Sequence, residues 1–424
     1  MRIDRLKIKN FNGFKDREFD FNPHFNLVVG DNAAGKTSLL DALAVSVGSW
    51  FLGISGLAKG PGIDGAEVRV EAHHHLDIYT FEKQFPARIE SSGLVMGKPI
   101  GWIRELKGEG GRTTSVDAKA ISDAASDAGR RVRAGEDVTL PLICTYGTER
   151  LWFEKSHRQR RTARGANGQM PSRFDGYRDC FDFTIQETAL IDWIRDQATV
   201  SLMGKGPTAL EVVRGSIIRC VEGALSLYYD GRYKDLVVLM DAPYGPQLFK
   251  NLSDGQRIML TLVGELARRA VTLNPHMGMA ALQNTPGVVL IDELDLHLHP
   301  RWQRRVIHDL KTTFPSFQFI TTTHSPQLIG EALRDEVRIL DHDETTTPPR
   351  SFGIDSSRVL EEVMGARPRD GLVEDLLSRL SKSIDAEDFE RAAQLLSEVE
   401  AKLGPDDPEV TRARTLMSFL ESSR

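Results

Sequence analysis

Hydrophobic and polar residues alternate at the start of the chain, through Ile3, Leu6 and Ile8 and again through Phe14, Phe19 and Phe21. That period of two predicts a pair of strands entering as a hairpin. Phe25 to Val29 is an apolar strand-like run, and Ser38 to Ala44 reads as helix. Further strands are predicted at Glu67 to Glu71 and Asp77 to Lys83, followed by a polar, Gly-bearing stretch from Lys107 to Gly135 and the apolar Val138 to Tyr146. Two helices are expected over Thr184 to Met203 and Thr208 to Tyr229, forming a helical lobe. From Ser253 and Asp254, candidate N-caps, apolar positions recur at helical spacing through Ile258, Leu262, Val263, Leu266 and Ala270.

Val288 to Ile291 is wholly apolar, as a buried parallel strand would be. Phe317 to Thr323 is another β-rich run, stopped by Ser325-Pro326, and a last strand lies near Val337 to Leu340. Thr345 to Arg350 reads as a linker into a helical tail from Asp355. There Phe389 to Leu403 and Pro408 to Leu420 are predicted as an antiparallel pair joined by Gly404-Pro405-Asp406-Asp407. One such pair leaves an apolar face open, so the tail is expected to dock on the rest of the chain or on a partner. The expected division is 1–100, 101–250, 251–345 and a tail of 346–424.

Composition narrows the class. The 424 residues are 40% hydrophobic, enough for a sizeable α/β core, and the net charge of −6 confines any nucleic-acid contact to a local patch. Cys144, Cys180 and Cys220 are few and far apart, so neither a disulfide framework nor a zinc site fits. Met1 to Arg5 leads into a strand rather than a targeting segment, and no apolar run reaches the roughly 18 residues of a membrane span, which predicts a cytoplasmic chain.

The chemistry sits at the ends of the predicted strands. Gly30, Gly35, Lys36 and Thr37 match G-x-x-x-x-G-K-[ST] between a strand and a helix. In such a loop successive N–H groups of Gly30, Asp31, Asn32, Ala33, Ala34, Gly35, Lys36, Thr37 and Ser38 cradle phosphates. Lys36 would bridge the β- and γ-phosphates of ATP, and the Thr37 hydroxyl would ligate Mg²⁺. Asp292 and Glu293 end the apolar run at Ile291, where open α/β sheets bind ligands. Asp292 would hold Mg²⁺ and Glu293 would polarise the attacking water, while His324, at the end of the next run, could reach the γ-phosphate or that water. Each motif alone has a plainer explanation as a cap or a core element. Their order along the chain reads as the dissected active site of an ABC-type ATPase.

NLSDGQR at Asn251 to Arg257 resembles the ABC signature, and with the opening hairpin, Asn32 of GDN and IDELDLHLHP the chain resembles the RecF/SMC-type branch of that class. It resembles stand-alone bacterial AAA-21-like ATPases, the Septu and retron-associated PtuA type among them. Phrases at Leu142 to Trp152, Arg173 to Phe183 and Phe352 to Gly365 extend the resemblance over most of the chain. It implies an α/β P-loop fold with a mixed sheet, a helical signature lobe and a C-terminal helical tail. It also implies a homodimer or higher oligomer in which Ser253, Gly255 and Gln256 meet ATP bound by the opposing protomer. The implied settings are control of an HNH-type nuclease partner or sensing of DNA or RNA, possible in anti-phage defence, with no membrane part; RecF-like repair and a transporter subunit are the alternatives.

Two departures stand out. Asn10-Phe11-Asn12 lacks the Arg that often follows Asn-Phe in the family, and no heptads mark a coiled coil between Thr37 and Asn251. A γ-phosphate sensor is sought in Tyr146 to Arg150. Lys155, His157, Arg158, Arg160, Arg161 and Arg164 form the densest basic run, readable as a solvated loop or as a phosphate-backbone contact. His73 and His75 share a strand face without an evident third metal ligand, and His297 and His299 are read as interface or local hydrogen-bonding residues.

Overall fold

The computed structural model describes residues 1–75, 78–148, 171–182, 187–202, 208–341, 344–367 and 369–422. The chain divides into two compact units, Met1–Ile354 and Asp355–Arg424.

In the first unit β1 (Arg2–Phe11) and β2 (Phe14–Asp20) pair antiparallel, as the alternation predicts. After β3 (Phe25–Val29) come an exposed two-stranded ribbon, β4 (Val70–His75) with β5 (Ile78–Lys83), then β6 (Ala87–Val95) and β7 (Lys98–Leu106). The last two extend the hairpin into a sheet of order β2-β1-β6-β7. The predicted strand at Glu67 to Glu71 is displaced because this segment is drawn to the end of β1: the N–H of Asn12 donates to Glu67 O and that of Arg69 to Asn10 O.

The central sheet has the order β15-β14-β3-β13-β12-β8, built from β8 (Leu142–Tyr146), β12 (Gly287–Ile291), β13 (Phe317–Thr322), β14 (Val337–Leu340) and β15 (Thr345–Thr346). Its pairs are parallel except β14 with β15, which takes up the start of the expected linker. Every residue of β3, β8, β12 and β13 is buried, which is why they read as near-continuous apolar runs. Gln318 breaks the run in β13 and is explained by its partners: it accepts the Ile3 N–H at 2.8 Å and donates to Ile3 O at 2.7 Å, tying the two larger sheets together. The helix Lys36–Gly48 packs against both sheets and is buried on nearly every side.

Three stretches differ from the expected elements. The Lys107 to Gly135 segment contains a helix, Lys119–Arg133, whose buried stripe of Ile121, Ala125, Ala128 and Gly129 is too small-sided to stand out as an apolar face. The second lobe helix stops at Cys220, because Gly223 turns the chain at φ 79° and β9 (Ala224–Asp230) begins there. β9 pairs with β10 (Asp235–Met240), which pairs with β11 (Pro246–Leu248), giving a small sheet that leads into the signature segment. The helices Glu187–Leu202 and Thr208–Cys220 pack on the signature helix Asp254–Leu273.

The second unit holds the helices Ser356–Glu362, Gly371–Asp385, Phe389–Leu403 and Pro408–Ser422. The predicted pair is present, but its face is not open. Leu376, Leu380 and Ile384 of Gly371–Asp385 cover Leu395, Leu396, Val399, Val410 and Met417, so the tail has a core of its own.

Candidate active site

Parallel pairing brings the carboxyl ends of β3, β12 and β13 to one edge of the central sheet. From β3 the chain enters the loop 30–35 and then the helix Lys36–Gly48. Only glycine fits two of its positions: a Cβ on Gly30 would lie 2.3 Å from Leu340 O, and Gly35, at φ 97°, would press one to 2.7 Å from the Phe14 ring. Gly35 is the N-cap, with no side-chain cap and no acidic residue in the first turn. The helix N-terminus therefore keeps its N–H groups and its positive end for an anion.

Lys36 folds back over the loop, its Nζ donating to Gly30 O at 2.8 Å and Asp31 O at 2.9 Å. Burial pulls its ammonium below the ordinary value, and the carboxylates of Asp292, Asp31 and Glu293 oppose that pull. Asp31, Asn32, Ala33 and Thr37 are exposed along the same loop, while Ala34 is buried and Ser38 half-buried.

Asp292 and Glu293 sit where β12 ends. The Thr37 hydroxyl donates to Asp292 Oδ2 at 2.9 Å, joining the phosphate loop to the acidic strand end. Thr322 Oγ1 donates to Asp292 Oδ1 at 2.5 Å and accepts the Glu293 N–H at 2.7 Å. Glu293 is half-buried and its backbone lies at φ 49°. His324 follows β13 onto the same edge and is half-buried.

Two carboxyls not singled out in the sequence belong to this neighbourhood. Asp41, one turn beyond Thr37, is pushed up to about 6 by burial and by the Glu67 and Asp292 carboxylates, and Glu67 is itself raised by burial. The signal was present: Asp41 is the one charged residue in the run Leu39 to Val45. Because its folded value exceeds the ordinary 3.8, Asp41 binds its proton more tightly when folded, and the stability it costs grows as pH rises from about 4 to 6. Asp41→Asn is therefore expected to stabilise the nucleotide-free protein at pH 8 by ~1–2 kcal/mol, allowing for partial solvent screening, and by less at pH 5. Urea titrations at the two pH values check this; an equal gain at both would refute it.

The signature residues are arranged around their own helix start. Ser253 caps the helix, accepting the Gln256 N–H at 3.4 Å, while Gln256 Oε1 accepts the Ser253 N–H at 3.0 Å. Gly255 lies against the turn after Glu293, where a Cβ would come within 2.8 Å of His297 O. Ser253 and Asp254 are exposed. His299 caps the helix Pro300–Thr313, its Nδ1 accepting the Arg301 N–H at 3.3 Å, a local role.

Of the suggested sensor residues, Tyr146 has a fully buried side chain beside Cys144, Arg269 and Glu265, and burial pushes its hydroxyl up; residues 149 and 150 lie outside the described ones. The basic run from Lys155 to Arg164 and its neighbours Trp152 and Phe153 also lie outside them. His73 and His75 stack with ring centroids 6.5 Å apart, and among the described residues no group of three or more His, Cys, Asp or Glu gathers as a metal site. Among the described residues no helix is long and apolar enough to cross a membrane.

Comparison with known proteins agrees with this geometry. One family model, described as "AAA domain", matches residues 5–193, and another, described as "AAA domain, putative AbiEii toxin, Type IV TA system", matches residues 244–330. Both matches are to AAA domains, and the chain is an ATPase that hydrolyses ATP. The retron Ec83 probable ATPase of Escherichia coli is 24% identical over 96% of this chain and 85% of its own length. The Septu protein PtuA of Bacillus thuringiensis is 29% identical over 40% of this chain and 46% of its own length. An SMC head domain from Thermotoga maritima aligns with 82% of this chain and 99% of its own at 17% identity, with a TM-score of 0.46.

Proposed function

We propose that two copies of this ATPase close over two ATP molecules, and that hydrolysis reopens them to control a nucleic-acid-directed partner. The observation that carries the hydrolytic half is the Thr37–Asp292 contact of 2.9 Å, which sets a hydroxyl and a carboxylate from distant parts of the chain side by side. Such hard oxygen donors suit Mg²⁺, which when bound would neutralise charge on the β- and γ-phosphates. Lys36, released from its two carbonyl partners, binds the same phosphates. Glu293 orients and polarises the attacking water, and His324 hydrogen-bonds the γ-phosphate or that water.

Dimerisation follows from the signature. Ser253 caps a twenty-residue helix yet stands exposed, so that N-terminus is available to the γ-phosphate of a nucleotide held by another protomer, with Gly255 and Gln256 completing the contact. Light scattering with and without ATP tests it: the apparent mass should rise with ATP and fall on hydrolysis, and a mass unchanged by ATP in a hydrolysis-deficient variant would defeat it.

For the output we favour a nuclease of HNH type acting in anti-phage defence, in keeping with the likeness to retron and Septu ATPases. Co-purification from the native host, with mass spectrometry, identifies the partner. Nucleic-acid contact is assigned to Arg158, Arg160, Arg161 and Arg164. Replacing these four by Ala should weaken binding and flatten its salt dependence, since each lost phosphate contact removes roughly 0.9 from the log–log slope on duplex DNA. ATPase activity should remain. An unchanged slope would return the run to the status of a solvated loop.

A further inference from the structure

Thr322 is the last residue of β13, wholly buried, and its hydroxyl lies between the two acids of the site. It donates to Asp292 Oδ1 at 2.5 Å and accepts the N–H of Glu293 at 2.7 Å, while its backbone carbonyl accepts the N–H of Leu294 at 2.9 Å. We infer that Thr322 is a positioning residue for hydrolysis, holding both acids through one hydroxyl. The inference rests on the proposed roles of Asp292 and Glu293.

Two features of the site depend on this hydroxyl. Asp292 has two carboxylate oxygens, and tying Oδ1 to Thr322 turns Oδ2 toward Thr37 and the phosphate loop. Glu293 stands at φ 49°, a backbone region that residues with a side chain enter at a cost, so its conformation must be held from outside. Thr322 supplies that hold on both sides of Glu293, through its hydroxyl before it and its carbonyl after it. The same strand end carries His324 two residues on, so Glu293 and His324 share one rigid support. Threonine combines the donor, the acceptor and the β-branched shape that a buried strand position favours.

Neighbouring hydroxyls provide the contrast. Thr321, equally buried, donates to the Asn26 carbonyl at 3.3 Å, a bond within the sheet. Thr323 donates to Asp295, beyond the acids. Only at 322 do the recorded bonds of a hydroxyl on this strand reach both Asp292 and Glu293.

The test compares Thr322→Val, which keeps the shape and removes the hydroxyl, with Thr322→Ser, which keeps the hydroxyl. For Thr322→Val we expect kcat to fall about 10- to 100-fold, the range seen when a group orienting a functional carboxylate is lost, with the ATP KM within about threefold of wild type. Thr322→Ser should stay within about threefold of wild type, and Thr321→Val should be unaffected. Binding of a fluorescent ATP analogue without divalent cation should be the same for all three, because the phosphate loop makes it. In a Glu293→Gln background, adding Thr322→Val should lower the residual activity by a smaller factor than it does in wild type, since the share of its effect carried by Glu293 is already lost and only its hold on Asp292 remains.

Wild-type kcat in Thr322→Val beside an inactive Glu293→Gln overturns this inference alone. Full activity in Glu293→Gln overturns the reading of the acids and this inference with it. Should Thr322→Val fail to fold, Thr322→Ala replaces it. If neither folds while Thr322→Ser does, the hydroxyl is a stability element and the positioning role is overturned.

Discussion

Lys36→Ala should abolish ATP hydrolysis and weaken ATP binding while leaving the fold in place. The ammonium folds over the curl of the loop 30–35, reaching the carbonyls of Gly30 and Asp31. A triphosphate loses its point-charge partner there, and the charged groups acting on Lys36 (Asp292, Asp31 and Glu293) are all acidic. Without Lys36 their field would repel the phosphates. A loss of about 10³-fold or more in turnover is expected, the scale of removing a group that stabilises charge in the transition state. The fold should survive because the lysine's bonds are to its own loop, while the helix it opens is held by Leu39, Leu40, Leu43 and Val47 in the core. Radiolabelled ATPase assays with circular dichroism decide it, and near-normal turnover in a folded variant would remove Lys36 from the site.

The second large effect concerns the proposed composite site. Glu293→Gln should keep ATP bound through Lys36 and the phosphate loop but lose the residue that orients water, trapping a closed dimer in which ATP raises the apparent mass. Ser253→Arg leaves each phosphate loop intact. It removes the helix cap and places a bulky side chain where the opposing nucleotide would dock, so this variant should bind ATP and stay open. Mixing the two single variants sharpens the test. In their heterodimer the Glu293→Gln phosphate loop faces the Ser253→Arg signature, so both lesions fall in one site and the other site is whole. Some activity absent from either homodimer should return if one good site suffices. The double variant mixed with wild type behaves oppositely: each of its heterodimer's sites carries one lesion, and those heterodimers should be inactive. A monomer fully active at every dilution would defeat the composite site.

What could be read along the chain was whatever depends on contiguous residues or on burial. A phosphate loop must curl within one short segment, so Gly30, Gly35, Lys36 and Thr37 had to appear together and in order. Strands covered on both faces are largely apolar or β-branched, so β3, β12 and β13 announced themselves despite Asn26 and Gln318, and the polar residues ending them could be marked as candidates. Hydrophobic period reports that a face is buried and not what buries it. The alanine-lined helix Lys119–Arg133, the turn of the second lobe helix into β9 and the self-covering of the tail were therefore beyond it. The strand order was beyond it too, and strand order makes the site. By setting β13 between β3 and β12, the fold puts Thr37 on Asp292 across 255 positions, and Thr322 under both acids across about 30. It also draws Asp41 into their field, where burial and neighbouring charge change what an ordinary carboxyl does. Such couplings need two distant segments at once, and only the folded chain specifies them.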